Sequence, residues 1–265
     1  MILSVCIVLY NTNKTDIDRT FQSLLAAIEW AGLVAHSKLY IVDNSKYLSI
    51  KQESYRIFSV IPFEIIHGHG NIGFASGHNL VLARELGTYH LVLNPDVELN
   101  ENSLAEAIAF LEAEPVCGLL SPAANYSDGS KQYLCKRYPS LFDLFLRGFT
   151  PRIIRKMFRR RLSQYEMSSE TQDTVFWDPP IISGCFMFFR SDIFKNLIGF
   201  DTGYMLYFED FDISLRAGSF TRIAYVPNVK IIHLGGNAAR KGYWHIKEFV
   251  RSAARFFWTH GLRLF

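Results

Sequence analysis

The feature that most constrains this chain is the alternation of short apolar runs with amphipathic stretches over its first 120 residues. Residues 2–9, 38–42, 63–66, 90–93 and 116–120 are short apolar runs, several of them β-branched. Strands buried on both faces read this way. Between them, residues 16–31, 75–86 and 103–112 have helical spacing, and Ile17, Phe21, Leu24, Leu25 and Ile28 share one face of the first. Such alternation predicts an α/β fold, a mostly parallel sheet flanked by helices. The second half is less regular. Residues 121–139 are polar and turn-rich and read as a hairpin or long loop. Residues 185–189 read as a strand, 207–217 as a short helix, 223–226 and 230–233 as two strands around Pro227-Asn228, and 243–258 as a final amphipathic helix.

Composition removes several classes. At 265 residues, 49% apolar and 20% charged, the chain can build one large domain, or one with a small appendage. A net charge of +3 is no nucleic-acid signature, and no nucleic-acid partner is expected. Cys6, Cys117, Cys135 and Cys185 are far apart in sequence and read as small buried hydrophobes in a reducing cytoplasm. The N-terminal run lacks a basic leader and reads as a buried strand, not a signal peptide. No run approaches the roughly 18 apolar residues of a membrane span. The cations are uneven, however. Arg147, Arg152, Arg155, Lys156, Arg159, Arg160 and Arg161 form a block without an acid, interleaved with apolar residues. In the last helix Ile246, Phe249, Val250, Ala253 and Phe257 are expected along one side, with Lys247, Arg251 and Arg255 on another. Basic amphipathic segments favour anionic membrane surfaces; the alternative is that both pack on the domain with only their charges in water.

Ligands of open α/β sheets bind beyond the carboxyl ends of the parallel strands. Those ends read Tyr10-Asn11, Asp43-Asn44-Ser45, His67-Gly68-His69-Gly70-Asn71 and Asn94-Pro95-Asp96, which together describe a polar crevice. Gly68-His69-Gly70-Asn71-Ile72-Gly73 matches G-x-G-x-x-G, with Asp96 about twenty residues further on, the outline of a dinucleotide site. That fingerprint normally follows the first strand of its unit, so glycines for a tight turn near a ligand are the alternative. Asp96 can hold a divalent cation bridging two phosphates, or simply help build a turn. Asp201, Glu209, Asp210 and Asp212 lie among Phe200, Tyr204, Tyr207, Phe208 and Phe211. Acids against aromatic surface have raised pKa values, which suits a general base near neutrality. Asp212 is four residues from Arg216, as in a structural ion pair. Asp210 is the better candidate base, or a carboxylate facing a helix N-terminus. His233 ends an apolar run and is either structural or a cation ligand beside Asp96.

The order and spacing of several motifs resemble the inverting glycosyltransferases of family 2 with the GT-A fold. Within them the chain looks like the rhamnosyltransferase-type enzymes of bacterial O-antigen and cell-surface polysaccharide assembly. The motifs are Val8-Leu9-Tyr10-Asn11, Val42-Asp43-Asn44-Ser45, Gly70-Asn71-Ile72-Gly73-Phe74-Ala75 with Asn79, Leu93-Asn94-Pro95-Asp96, Gly184-Cys185-Phe186-Met187, and Gly199-Phe200-Asp201 through Glu209-Asp210-Phe211-Asp212. The resemblance spans residues 2–237. It implies a GT-A, Rossmann-like domain over 1–240, followed by a C-terminal amphipathic helix at 241–265. Within the domain, 1–120 would be the nucleotide-sugar-binding half and 121–240 the acceptor and catalytic half, with a basic insert at 145–165. It implies that Asp43 binds the donor's base near Tyr10 and Asn11, and that Asn71, Gly73, Asn79 and Asn94 line the donor pocket. Asp96 and His233 would hold Mg2+ or Mn2+. Asp210, with Glu209 beside it, would be the catalytic acid pair, Asp210 deprotonating the acceptor. Asn94 stands where the family's D-x-D motif has its first acid, so this site carries less charge. The implied donor is a nucleotide diphosphate sugar, dTDP-L-rhamnose first, with galactofuranose, glucose or N-acetylhexosamine as other sugars. The implied acceptor is a lipid-linked glycan. The implied location is cytoplasmic, peripheral on the anionic inner face of the bacterial cytoplasmic membrane. Two readings from other classes are an NAD-dependent oxidoreductase and a non-catalytic nucleotide-sugar-binding protein.

Overall fold

A computed structural model describes residues 1–235 and 242–265. The first half runs β1 (Leu3–Leu9), α1 (Lys14–Trp30), β2 (Ser37–Asp43), α2 (Ile57–Val60), β3 (Phe63–His67), α3 (Gly73–Asn79), β4 (Tyr89–Leu93), β5 (Val97–Leu99), α4 (Ser103–Ala113) and β6 (Cys117–Asn125). The second half runs β7 (Lys131–Gln132), β8 (Cys135–Lys136), α5 (Leu141–Phe149), α6 (Arg152–Met157), α7 (Arg159–Tyr165), β9 (Phe176–Trp177), β10 (Ile181–Ile182), β11 (Phe186–Arg190), α8 (Ser191–Asn196), α9 (Glu209–Ala217), β12 (Arg222–His233) and α10 (Tyr243–His260).

The main sheet has the order β3-β2-β1-β4-β11-β6-β12-β5. The first four strands are parallel, so their carboxyl ends do share one edge. β11 is antiparallel to both β4 and β6, and joins the two halves. Alternate residues of β1 face opposite cores, as the two-residue period of a strand requires. Leu3, Val5, Ile7 and Leu9 pack in one core with α1 and α4. Cys6 and Val8 pack in the other, with residues of α3, α8 and α9. The expected face of α1 is buried, and the helix is started by Asn13, whose side chain accepts from Thr15 N.

Several boundaries differ from expectation. The helix expected over 75–86 ends at Asn79 and tightens into a 3-10 turn over Leu80–Ala83, since Ser76, Gly77 and Asn79 are weak helix formers. The two strands around Pro227 are one, β12, with a bulge between Val226 and Lys230 that accommodates the proline. The turn-rich 121–139 stretch extends β6 to Asn125 and returns as β7. The apolar side of the last helix is rotated from expectation. Glu248, Ser252, Phe256 and Phe257 are buried, whereas Ile246 and Val250 are 42% and 56% exposed. Ser252 is tolerated in that buried stripe because its Oγ donates to Leu206 O at 2.8 Å. Arg255 does not face water alone but forks onto Asp201, at 3.0 and 2.7 Å.

Candidate active site

β1, β2, β3 and β4 deliver the expected polar ends to one edge. Tyr10 is 50% exposed there, and Asn11 takes a left-handed φ of 48° with its N–H on Ser45 Oγ. Asp43 is fully buried. Its carboxylate accepts from Ser45 N at 2.9 Å, Ser49 N at 2.6 Å and Ser49 Oγ at 3.2 Å, so it organises the loop after β2. Asn71 is exposed and accepts from Gly73 N at 3.1 Å.

Two expected pocket residues have other work. Gly73 has φ +87°, and a Cβ there would strike Met205, whose carbonyl accepts from Phe74 N at 3.1 Å. The glycine is explained by that close approach rather than by a bound molecule. The dinucleotide reading of 68–73 thereby loses its last glycine, and the segment follows the third strand, not the first. The Asn79 amide holds Phe200. Its Nδ2 donates to Phe200 O at 2.7 Å and its Oδ1 accepts from Phe200 N at 2.9 Å, clamping the segment that leads to the acids.

Asp96 and His233 are brought together by β5, the strand that sequence periodicity missed. β5 pairs antiparallel with β12, placing His233 opposite Val97 and next to Asp96. His233 Nε2 lies 3.5 Å from Asp96 Oδ1. Leu234 N donates to Asp96 O at 2.9 Å, and a Cβ at Gly235 would overlap the Asp96 carboxylate and crowd His233 Nε2. The glycine thus leaves a cradle at the carboxylate–imidazole pair. Gly236 and Asn237, the next residues in sequence, lie outside the described residues. Burial disfavours the His233 cation, but the Cys185 thiol and the Asp96 carboxylate beside it prevail and raise its pKa to about 10. A metal ion would have to displace that proton, since a ligand imidazole must be neutral on its ligating nitrogen. Among the described residues no group of three or more His, Cys, Asp and Glu side chains forms a cage. Two protein ligands nevertheless fit Mg2+ or Mn2+, which complete their shells with phosphates and water.

Glu209 and Asp210 open α9, immediately after Tyr207 and Phe208, both with left-handed φ, 70° and 66°. Bulky residues rarely adopt that conformation, and such strain gathers at functional segments. Burial raises the Asp210 pKa, while N–H donation from Gly184 to Oδ2 and from Phe211 to Oδ1, each at 3.0 Å, and the Arg147 guanidinium moderate the rise. Glu209 is more buried. Its pKa is raised well above the ordinary value by burial and by the Asp210 charge, and its Oε2 has no partner among the described residues. Asp210 therefore carries the charge of the pair and Glu209 the proton. Asp212 is structural as expected, held by Arg216 Nε at 2.8 Å and also by His260 Nε2 at 2.8 Å.

The two acids are linked through a dipeptide. Gly184 N donates to Asp210, and the carbonyl of Cys185 accepts from Asn94 N at 2.9 Å, two residues before Asp96. Gly184-Cys185, a motif whose residues had no assigned role, therefore spaces the carboxylate–imidazole pair from Asp210. Gln132, which no sequence signal singled out, accepts with its Oε1 from His233 Nδ1, 3.1 Å away.

Comparison with known proteins gives the family and the fold. The model of "Glycosyl transferase family 2" matches residues 4–198. Asp210 and His233 lie beyond the matched segment. Rhamnosyltransferase WbbL of Escherichia coli K12 is 28% identical over 237 residues, 83% of this chain and 83% of that one. The N-acetylglucosaminyl-diphospho-decaprenol L-rhamnosyltransferase of Mycobacterium tuberculosis is 27% identical over 148 residues, 54% of this chain and 46% of its own length. Among solved structures, GalNAc-T7 with UDP, GalNAc and Mn2+ superposes with a TM-score of 0.66 at 16% identity, covering 91% of this chain and 44% of that one. At that identity the likeness shows the fold, which is GT-A.

Proposed function

The chain belongs to glycosyl transferase family 2, and on that premise we propose that it transfers a rhamnosyl group from dTDP-L-rhamnose to a lipid-linked glycan, inverting the anomeric carbon. The relatives' names support the sugar, and the diphospho-decaprenol of the mycobacterial name supports the acceptor class. Residues 1–120 hold the donor in this reading, with Asp43, Tyr10 and Asn11 at its base and Asn71 and Asn94 nearer the sugar. Residues 121–240 carry the acceptor side. The observation that supports the proposal is the Gly184-Cys185 bridge, which ties Asp210 to the strand end bearing Asp96.

Asp96 and His233 are the residues to hold a divalent cation. Such a cation supplies charge that offsets the negative charge developing on the departing nucleoside diphosphate, a contribution of several kcal/mol. Asp210 accepts the proton of the acceptor hydroxyl, a step typically worth about 10²- to 10⁴-fold. The freed oxygen forms its bond to the anomeric carbon as the bond to the phosphate oxygen breaks on the opposite face. One base and one displacement give inversion. The cationic segment of α6 and α7 docks the protein peripherally on an anionic membrane, cytoplasmic side, where a lipid-linked acceptor would be met. No helix among the described residues is long and apolar enough to cross a membrane.

The test is a donor screen with a synthetic diphosphate-lipid-linked acceptor, read by product mass and anomeric configuration. Rhamnosyl transfer with inversion is expected. Retention would overturn the single displacement, and transfer from another donor only would overturn the sugar.

A further inference from the structure

We propose that Gln132 is a positioning residue for the cation site: its amide oxygen accepts the Nδ1 proton of His233 and keeps Nε2 as the nitrogen turned to Asp96. The proposal rests on the reading of Asp96 and His233 as cation ligands.

Gln132 lies on β7, opposite Ala124 of β6, while His233 ends β12 on the other side of β6. The side chain thus crosses one strand to place Oε1 3.1 Å from Nδ1. An amide oxygen only accepts, so Nδ1 must carry the proton. On the opposite side of the ring Nε2 faces Asp96 Oδ1 at 3.5 Å. The imidazole is buried, and its two nitrogens are therefore engaged by two different groups. With the Nδ1 proton donated to Gln132 Oε1, Nε2 is the nitrogen that would be available to a cation. This matters more here than in a site with two acids, because Asn94 leaves Asp96 as the one carboxylate of Asn94-Pro95-Asp96. A ring free to present Nδ1 or to tilt would weaken the second ligand. Groups of this kind behind a ligating histidine typically change metal affinity by about 10- to 100-fold.

The experiment titrates Mn2+ into the whole protein and follows free Mn2+ by electron paramagnetic resonance. Gln132→Leu should bind Mn2+ about 10- to 100-fold more weakly than wild type. Gln132→Glu, which keeps an acceptor at the same reach, should bind Mn2+ at least as tightly as wild type. Thermal melts show whether either variant folds. A second readout does not depend on the variants folding. In the Mg2+-loaded wild-type protein, nitrogen-15 shifts of the His233 ring should show a protonated Nδ1 and a proton-free Nε2. The opposite tautomer, or a Gln132→Leu variant that binds Mn2+ as wild type does, overturns the positioning role. A wild-type protein that takes up no Mn2+ overturns the cation reading beneath it, an outcome distinguishable from the first two.

Discussion

At the residue scale the chemistry divides between two neighbouring acids that the fold treats differently. Asp210 receives two backbone N–H groups and Glu209 Oε2 receives none among the described residues. Hydrogen bonds to the charged form favour it, and burial without them favours the neutral form. Glu209→Gln, an uncharged mimic of a protonated acid, should keep kcat within several-fold, whereas Asp210→Asn should lose about 10²- to 10⁴-fold. Steady-state assays with saturating donor check both. Loss of kcat in Glu209→Gln equal to that in Asp210→Asn would exchange the two roles. A pH profile gives a second check. The Asp210 pKa is raised from 3.8, and a base works only when deprotonated. Activity should therefore fall on the acid side, with its midpoint above 3.8. Glu209→Gln removes the titrating partner that couples to Asp210, so the limb should become a single ionisation.

At the element scale, α10 is part of the site's support. Its residues reach back to the acid-bearing segment through Arg255 on Asp201, His260 on Asp212, Ser252 on Leu206 O and His245 Nδ1 on Tyr207 Oη at 2.9 Å. A third small core lies beneath it. Phe256 is fully buried, with Phe208 and Phe211 at ring distances of 5.3 and 5.8 Å. Phe256→Ala should cost about 3–5 kcal/mol by lost burial and cavity formation. Because Phe208 immediately precedes Glu209 and Asp210, kcat should fall more than donor affinity does. Denaturant melts and donor titration check the two parts. Unchanged kcat in the folded variant would show that α10 merely covers the domain. The elements also show what sequence could and could not carry. β1 to β4 were legible because short, largely apolar runs alternating with amphipathic stretches are the pattern of strands buried in a parallel sheet. β5 was not, because Val97-Glu98-Leu99 is three residues long and is defined only by its pairing with β12. That pairing is what joins Asp96 to His233, so the pair was a guess from sequence and a consequence of register in the fold. The burial stripe of α10 was misplaced for a related reason. Ser252 is buried because it has a carbonyl to bond, which no hydropathy pattern records. Gln132 was illegible altogether, since its partner lies 101 residues away.

At the scale of the whole molecule, two properties follow from groups far from the reaction. His90 is fully buried, with its pKa lowered by burial to about 3, and His78 is lowered too. The folded state binds these protons less readily than the unfolded chain, whose histidines titrate near 6.5. Their neutral forms therefore give full stability above about 6.5, which is lost as pH falls from there toward 3. His90→Asn should flatten the acid arm of a melting-temperature profile below pH 6.5, and an unaltered slope would remove His90 as its cause. The second property is the outward face around α6. Ile153 and Met157 are each 77% exposed, Phe145 is 53% exposed, and Lys156, Arg159 and Arg160 are exposed among them. One cation of the block is tied to the domain: Arg161 pairs with Asp143 at 2.6 Å. The remaining charges lie beside apolar side chains that gain nothing from water, the combination an anionic bilayer takes up. Attraction of this kind is screened by salt and vanishes on neutral lipid. The protein should sediment with vesicles containing phosphatidylglycerol, release at high salt, and ignore pure phosphatidylcholine. Ile153→Asp with Met157→Asp should lower vesicle binding by tenfold or more, on the order expected for losing two buried apolar groups, without moving the melting temperature. Binding to phosphatidylglycerol vesicles that the double variant leaves intact would mean that this face is not the one that docks.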